Sequence, residues 1–364
     1  MKPVSDLNKH LSRTRLLALI NANWTTQAIA TAVRLRVADH LAEQASSADA
    51  LAQVTGCHAG ALHRLLRSLV TLEVVIERDD GCFALGELGW SLRSQATGSL
   101  SAWAEFCGTR SWPCWQHLCD CVQTGHSARQ LGGGSAGLGF LDEDPEAASL
   151  FNRAMASLSF AVAESVACTL SFHGVSRVID IGGGTGELIS VVLRAHSGLR
   201  GVLHDRPHAA DAARQKLLQA GVADRCEFVA GDFFDAIPSG GDLYLLKSVL
   251  HDWDEERART ILMRCRASMP HSARLVVIER LMPQRLCASD SHRAIVRSDL
   301  NMLVGPGGHE RTEAAYRELL TASGLRVVAV TALVDGYSVL ETCADSPAPA
   351  LRATATRLDE AQAG

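Results

Sequence analysis

The chain has 364 residues, 47% apolar and 21% charged, with a formal net charge of −5. That length supports two domains with real cores, and the balance is that of an ordinary soluble protein. It excludes a basic footprint for nucleic acid or a membrane surface; the lack of an eighteen-residue apolar run excludes a transmembrane helix, and eleven cysteines without a secretory leader pattern predict reduced thiols in the cytoplasm.

Residues 14–45 carry a broad apolar stripe (Leu16, Leu17, Ile20, Trp24, Ile29, Val33, Val37, Leu41) and predict a helix. A stripe so wide near a terminus suits packing against a second subunit. Two short helices follow (47–54 and 58–69), then a strand, an Asp79-Asp80-Gly81 turn and another strand, the order of a winged helix. DNA binding is a poor reading of it. Residues 56–100 hold four arginines against five acidic residues, and two of the acids sit on the wing tip. A dimerisation or lid role fits better.

Residues 100–170 read as helical, interrupted by a Gly-rich stretch (132–139) that reads as a linker. Cys107, Cys114, Cys119 and Cys121 crowd this region, but one C-x-C is too thin a pattern for zinc. Trp112 and Trp115 read as core. From Asp142 to Pro145 a long helix begins, with Phe151, Met155 and Leu158 on one face.

The middle of the chain, SRVIDIGGGTGELISVVLRAHSGLRGVLHD (176–205), predicts a βαβ unit with a glycine loop at its first turn. The dinucleotide pattern G-x-G-x-x-G would need glycine where Glu187 stands, and no Lys-Ser or Lys-Thr follows for a P-loop. Asp180 lies two residues before Gly182, and its charge suits a cationic ligand better than a pyrophosphate. Asp205, at the tip of the second strand, is placed to accept from a ribose diol. Strands are predicted at 226–230, 242–249 and 273–279, with an antiparallel closing pair at 325–331 and 337–343. Helices are predicted at 208–220, 254–268 and 311–323, and 346–364 reads as a disordered tail.

In open α/β sheets, ligands bind beyond the carboxyl ends of the strands. Those ends here are Gly182, Asp205, Asp232 with Phe233, His251 with Asp252, and Glu279, so the fold gathers them into one crevice. Asp232 is placed to accept from a base amino group, Phe233 to cover a ring face, and Lys247, four residues before His251, to reach a ligand carboxylate. His251 could instead cap the following helix, and Glu310 could be a helix N-terminal charge; Met302 lies close enough to Gly305 to line the pocket.

The D-x-G-x-G-x-G run from Asp180 to Gly186 resembles motif I of class I S-adenosylmethionine-dependent methyltransferases. IDIGGGTG, LHDRP, GDFF, LKSVLHDW, VIERLMP and GPGGHERT, in that order, resemble the small-molecule O-methyltransferases of the plant caffeate and bacterial antibiotic type. The resemblance spans about residues 15–343. It implies an α/β fold with a Rossmann-like, mostly parallel sheet and an antiparallel last strand, behind a winged-helix dimerisation domain (1–100), a pocket segment (101–170) and a catalytic domain (171–345). It implies S-adenosyl-L-methionine as cofactor, held by Asp180, Gly182, Gly184, Asp205, Asp232, Phe233 and Lys247. It further implies His251 as general base flanked by Glu279 and Glu310, a homodimer, and a small aromatic hydroxylated substrate against Phe151, Met155, Leu158 and Met302. Many plant members carry histidine at the Leu158 position and tryptophan at the Ser248 position, so their absence here implies a different acceptor shape. No metal-ligand cluster of the catechol type is seen, and no Mg²⁺ is expected.

The chemistry supports a hydroxyl acceptor. A phenol with pKa about 10 is neutral at pH 7, and a histidine near 6.5 is its natural proton acceptor. Complete transfer before methylation would be uphill by roughly 5 kcal/mol, so the base acts as the C–O bond forms. Flanking carboxylates raise its basicity and fix its tautomer. Two other readings stay open: a related cofactor-binding hydroxylase or decarboxylase, and a winged-helix regulator.

Overall fold

The computed structural model describes residues 6–345; the tail predicted as disordered, 346–364, lies outside them. The N-terminal stripe does not form one helix. It folds as Asp6–Ile20, Ala22–Arg34 and Val37–Glu43, broken at Asn21 and again at Arg36, whose φ is +54°. The breaks divide the stripe between two tasks. Ala32, Val37 and Leu41 bury in the winged-helix core, while Leu16, Ile20 and Trp24 remain 58–67% exposed.

The winged helix is formed as its punctuation demands. Ser47 caps the helix Ala48–Thr55 by accepting from the Ala50 N–H, and Gly56, with φ +68°, ends it. The helix Ala59–Val70 packs Leu62, Leu66 and Leu69 inward. Strands β1 (Val75–Glu77) and β2 (Phe83–Leu85) pair antiparallel across a turn in which Asp80 accepts from the Cys82 N–H.

The larger sheet has strands β3 (Arg177–Ile181), β4 (Arg200–Asp205), β5 (Cys226–Ala230), β6 (Leu243–Lys247), β7 (Arg274–Arg280), β8 (Leu325–Ala332) and β9 (Tyr337–Ala344). Their order is β5-β4-β3-β6-β7-β9-β8, with β9 alone running against the rest. Apolar residues continue through β3, β6 and β7 because helices cover both faces. Pro145–Thr169 and Glu187–Ala195 pack on one face, Glu255–Ser268 and Glu313–Ala322 on the other. Parallel register aligns Ile181 with His204, Asp205 with Ala230 and Lys247 with Ile278, so the strand ends meet at one rim.

One helix escaped the sequence reading: Asp290–Val304. It buries Ile295, Met302 and Val304, and Arg297, Ser298 and Asn301 between them border a cavity. No helix among the described residues is long and apolar enough to cross a membrane.

Candidate active site

A single large cavity of about 2020 Å³ opens at the carboxyl ends of β3 to β7. A site for one small molecule is typically about 300–1,000 Å³, so this one has room for two. Asp180, Gly182, Gly184, Asp205, Asp232, Phe233, Lys247 and His251 line it, and so do Phe151, Met155, Leu158 and Met302. Glu279 and Glu310 stand behind His251, with side chains fully buried.

The glycine loop is shaped by close approach. Gly182 has φ +65° and donates its N–H to His204 O at 2.8 Å. A Cβ on Gly183 would stand 2.6 Å from Asp180 Oδ2, so only glycine fits beside that carboxylate. Gly184, with φ +59°, faces open space and donates to Asp205 Oδ2 at 2.7 Å. Asp205 Oδ1 also accepts from the Arg206 N–H, which fixes the carboxylate at the rim. Asp180 Oδ2 is buried and meets no hydrogen-bond donor among the described residues. Burial pushes Asp180 up to about 7, against the pull of the nearby Lys247 ammonium. A cationic group beside the loop would favour its ionised form.

Asp232 accepts from the Phe234 N–H at 2.8 Å. Phe233 meets Phe234 and Trp253 edge to face, with centroids 5.0 and 6.2 Å apart, and forms an aromatic wall. Lys247 donates to Ser159 Oγ at 2.9 Å and Ser248 Oγ at 3.2 Å.

His251 sits in a 3₁₀ turn (Leu250–Asp252) after β6, entered through Ser248 at φ +53°. A non-glycine residue in that region carries strain of order 1–3 kcal/mol, which surrounding bonds must offset. They do so from both sides. Glu279 Oε1 accepts from the Val249 and Leu250 N–H groups at 3.1 and 2.9 Å. Arg311 donates to Leu250 O and Trp253 O at 2.7 and 2.8 Å, and His309 N–H donates to His251 O at 2.9 Å.

The imidazole is ringed by carboxylates. Nδ1 lies 3.3 Å from Glu310 Oε1 and 3.5 Å from Glu279 Oε2, and Nε2 lies 3.6 Å from Asp252 Oδ1. Burial alone would lower the pKa of His251, but Glu279, Asp252 and Glu310 together hold it well above 6.5. Burial pushes Asp252 up to about 7 and Glu279 also upward. Burial works against Glu310 as well, yet its bonds to His251 and Ser298 hold it low. The helix-cap readings fall away: Asp254 caps the helix Glu255–Ser268, and Thr312 caps Glu313–Ala322.

Several features escaped the sequence reading. Ser298 donates to Glu310 Oε1 at 2.6 Å. Trp112 and Trp115 line the cavity instead of filling a core. The Gly-rich stretch read as a linker folds over the mouth: Gly137 donates to Pro306 O at 2.6 Å, and Asp142 pairs with Arg206. None of these leaves a local signal, because each acts through distant chain. His251, Glu279 and Glu310 also bring potential metal-ligand atoms within 4.8 Å of one another, a cluster the sequence reading did not expect. Two of the three carry other bonds: Glu279 Oε1 takes two N–H groups and Glu310 Oε1 a hydroxyl.

This mixed seven-stranded sheet and its glycine cradle define a class I methyltransferase, and its cofactor is S-adenosylmethionine. A family model described as an O-methyltransferase domain matches residues 115–326, and one described as an O-methyltransferase dimerisation domain matches 17–95. The chain belongs to the small-molecule O-methyltransferase family. It is 41% identical to the mitomycin biosynthesis 6-O-methyltransferase of Streptomyces lavendulae, over 85% of this chain and 88% of the relative. It is 37% identical to a phenazine O-methyltransferase of Lysobacter antibioticus, over 90% and 94%. A phenazine-1-carboxylate N-methyltransferase of Pseudomonas aeruginosa is 31% identical over 88% and 94%. Among solved structures, an O-methyltransferase from neocarzinostatin biosynthesis, in complex with S-adenosylmethionine and 2-hydroxy-5-methyl naphthoic acid, superposes with a TM-score of 0.73. It is 32% identical, covering 88% of this chain and 96% of that one.

Proposed function

We propose that the enzyme methylates a hydroxyl group of an aromatic or polycyclic small molecule, with His251 as general base. The observation that carries this reading is the imidazole itself, which lines the cavity with Nδ1 held by Glu310 and Glu279; the proton acceptor is then Nε2, 3.6 Å from Asp252 Oδ1. The bound cofactor supplies an electrophilic methyl group. Nε2 takes the proton from the acceptor hydroxyl as the oxygen becomes nucleophilic, while Glu310 and Glu279 stabilise the imidazolium that forms. Phe151, Met155, Leu158 and Met302 hold the flat acceptor, and no metal is needed for the step. A carboxylate acceptor would need no base, and an aromatic amine already has a lone pair, so an N-methyl product is the second reading. Incubation with labelled S-adenosylmethionine and phenolic, naphtholic and anilinic acceptors separates them by the product formed. A protein that binds the cofactor and transfers no label to any acceptor would instead be a hydroxylase, a decarboxylase or a regulator.

We assign cofactor binding to the cradle residues. Asp205→Ala removes both the diol acceptor and the bond that holds Gly184, so affinity for S-adenosylhomocysteine should fall at least about tenfold by calorimetry. Unchanged affinity would remove Asp205 from the cradle. The exposed apolar face of the N-terminal helices is assigned to a second subunit. Sedimentation equilibrium should give a mass near twice 38.9 kDa, and a monomer at micromolar concentration would contradict this.

A further inference from the structure

One wall of the cavity is used by neither the cofactor cradle nor the base. On the helix Asp290–Val304, Arg297 and Asn301 are one turn apart and both border the cavity. Asn301 Oδ1 accepts the indole N–H of Trp115 at 3.2 Å. An indole N–H can only donate, so this bond fixes the amide with its oxygen on Trp115, and its two N–H donors have no acceptor among the described residues. Arg297 makes no ion pair or hydrogen bond with any described residue, whereas Arg110, Arg129 and Arg206 on the same cavity all have carboxylate partners. Arg280, also on this cavity, has a buried Nε–H that meets no acceptor among the described residues. Arg280 Nη1 donates to Ser298 Oγ at 3.4 Å, so among the described residues Arg297 and the Asn301 amide N–H groups are donors on this helix without an acceptor.

We propose that Arg297 and Asn301 form a subsite for a carboxylate on the acceptor, which makes the substrate a hydroxyarene carboxylic acid. The guanidinium fork matches the two oxygens of a carboxylate, and the Asn301 amide adds a third donor. The subsite lies close to the base. Ser298, between the two residues, donates to Glu310 at 2.6 Å, and Glu310 lies 3.3 Å from His251. An aromatic acid anchored there shares the cavity with His251, so its ring hydroxyl is the group offered to the base. The inference rests on the reading of His251 as base to that hydroxyl. The methionine carboxylate of the cofactor has the same chemistry, and the test separates the two.

Hydroxybenzoic and hydroxynaphthoic acids, each paired with its methyl ester, are titrated into the S-adenosylhomocysteine complex by following tryptophan fluorescence. At least one acid should bind about tenfold more tightly than its ester. In Arg297→Gln the acid-to-ester ratio should fall to within about twofold of one, with Arg297→Lys in between and S-adenosylhomocysteine affinity within about twofold of wild type. Acids binding no better than their esters would overturn the proposal. So would a ratio unchanged in Arg297→Gln, or a larger loss of S-adenosylhomocysteine than of the acid. If the acids bind as stated and no label reaches them, the carboxylate subsite stands and the methyl-transfer reading fails.

Discussion

Replacing His251 with alanine should lower kcat by about 10²- to 10⁴-fold while leaving cofactor affinity near wild type, because a positioned general base contributes about that much. The side chain is only 12% exposed and touches no cradle residue, so its loss should act on proton transfer. Single-turnover measurement with saturating S-adenosylmethionine isolates that step. A variant within about threefold of wild type would remove His251 from the mechanism.

The pH dependence gives an independent check on the same residue. His251 is held well above 6.5 by Glu279, Asp252 and Glu310, so in the free enzyme the imidazolium, which cannot accept a proton, is favoured to higher pH than in a free imidazole. The competent form therefore accumulates as pH rises, and kcat/KM should climb through a midpoint above 6.5. Glu310→Gln removes one of the anions that favour imidazolium, so its midpoint should move to lower pH, with a lower plateau because a weaker base pulls less. A midpoint that stays in place would mean that Glu310 does not act on the base. The stability linkage has the same origin. Because the folded pKa is raised, the contribution of His251 to stability is complete below about 6.5 and is lost as pH rises through the folded value. The enzyme is then most active where this contribution is weakest.

The sequence was most legible where chemistry and chain neighbourhood coincide. Asp180, Gly182, Asp205, Asp232 and His251 sit at strand ends, and parallel strands with buried faces are read from their apolar runs. Legibility ended where a residue works through distant chain. The helix Asp290–Val304 escapes the sequence reading although it buries Ile295, Met302 and Val304, because Arg297, Ser298 and Asn301 fall between them and face the cavity. The stripe at 14–45 over-predicted continuity, since periodicity does not register the left-handed Arg36 that divides it. The Gly-rich stretch 132–139 looked featureless because its contacts, with Pro306 and Trp253, lie more than a hundred residues away.

Gly308→Ala should be the most damaging small substitution near the site, although Gly308 itself has no catalytic group. A Cβ there would stand 2.0 Å from His251 O, 2.4 Å from Asp252 C and 2.7 Å from Trp253 N. All three are backbone atoms, so no side chain can swing aside to relieve the clash. The 307–310 segment must instead move off the 3₁₀ turn, and the bond from His309 N–H to His251 O at 2.9 Å must stretch or break. That separation also carries Glu310 away from the imidazole, which it meets at 3.3 Å. Overpacking of this kind costs about 1–3 kcal/mol or more, worth roughly 2–4 °C per kcal/mol in melting temperature for a domain of this size. Misplacement of the base by about 1 Å should lower kcat about 10²-fold even in the fraction that stays folded. Gly198→Ala is the control, because its Cβ would meet nothing within 4 Å and should change neither quantity. A Gly308→Ala enzyme with unaltered melting temperature and turnover would show that the turn bearing His251 is not held against this segment.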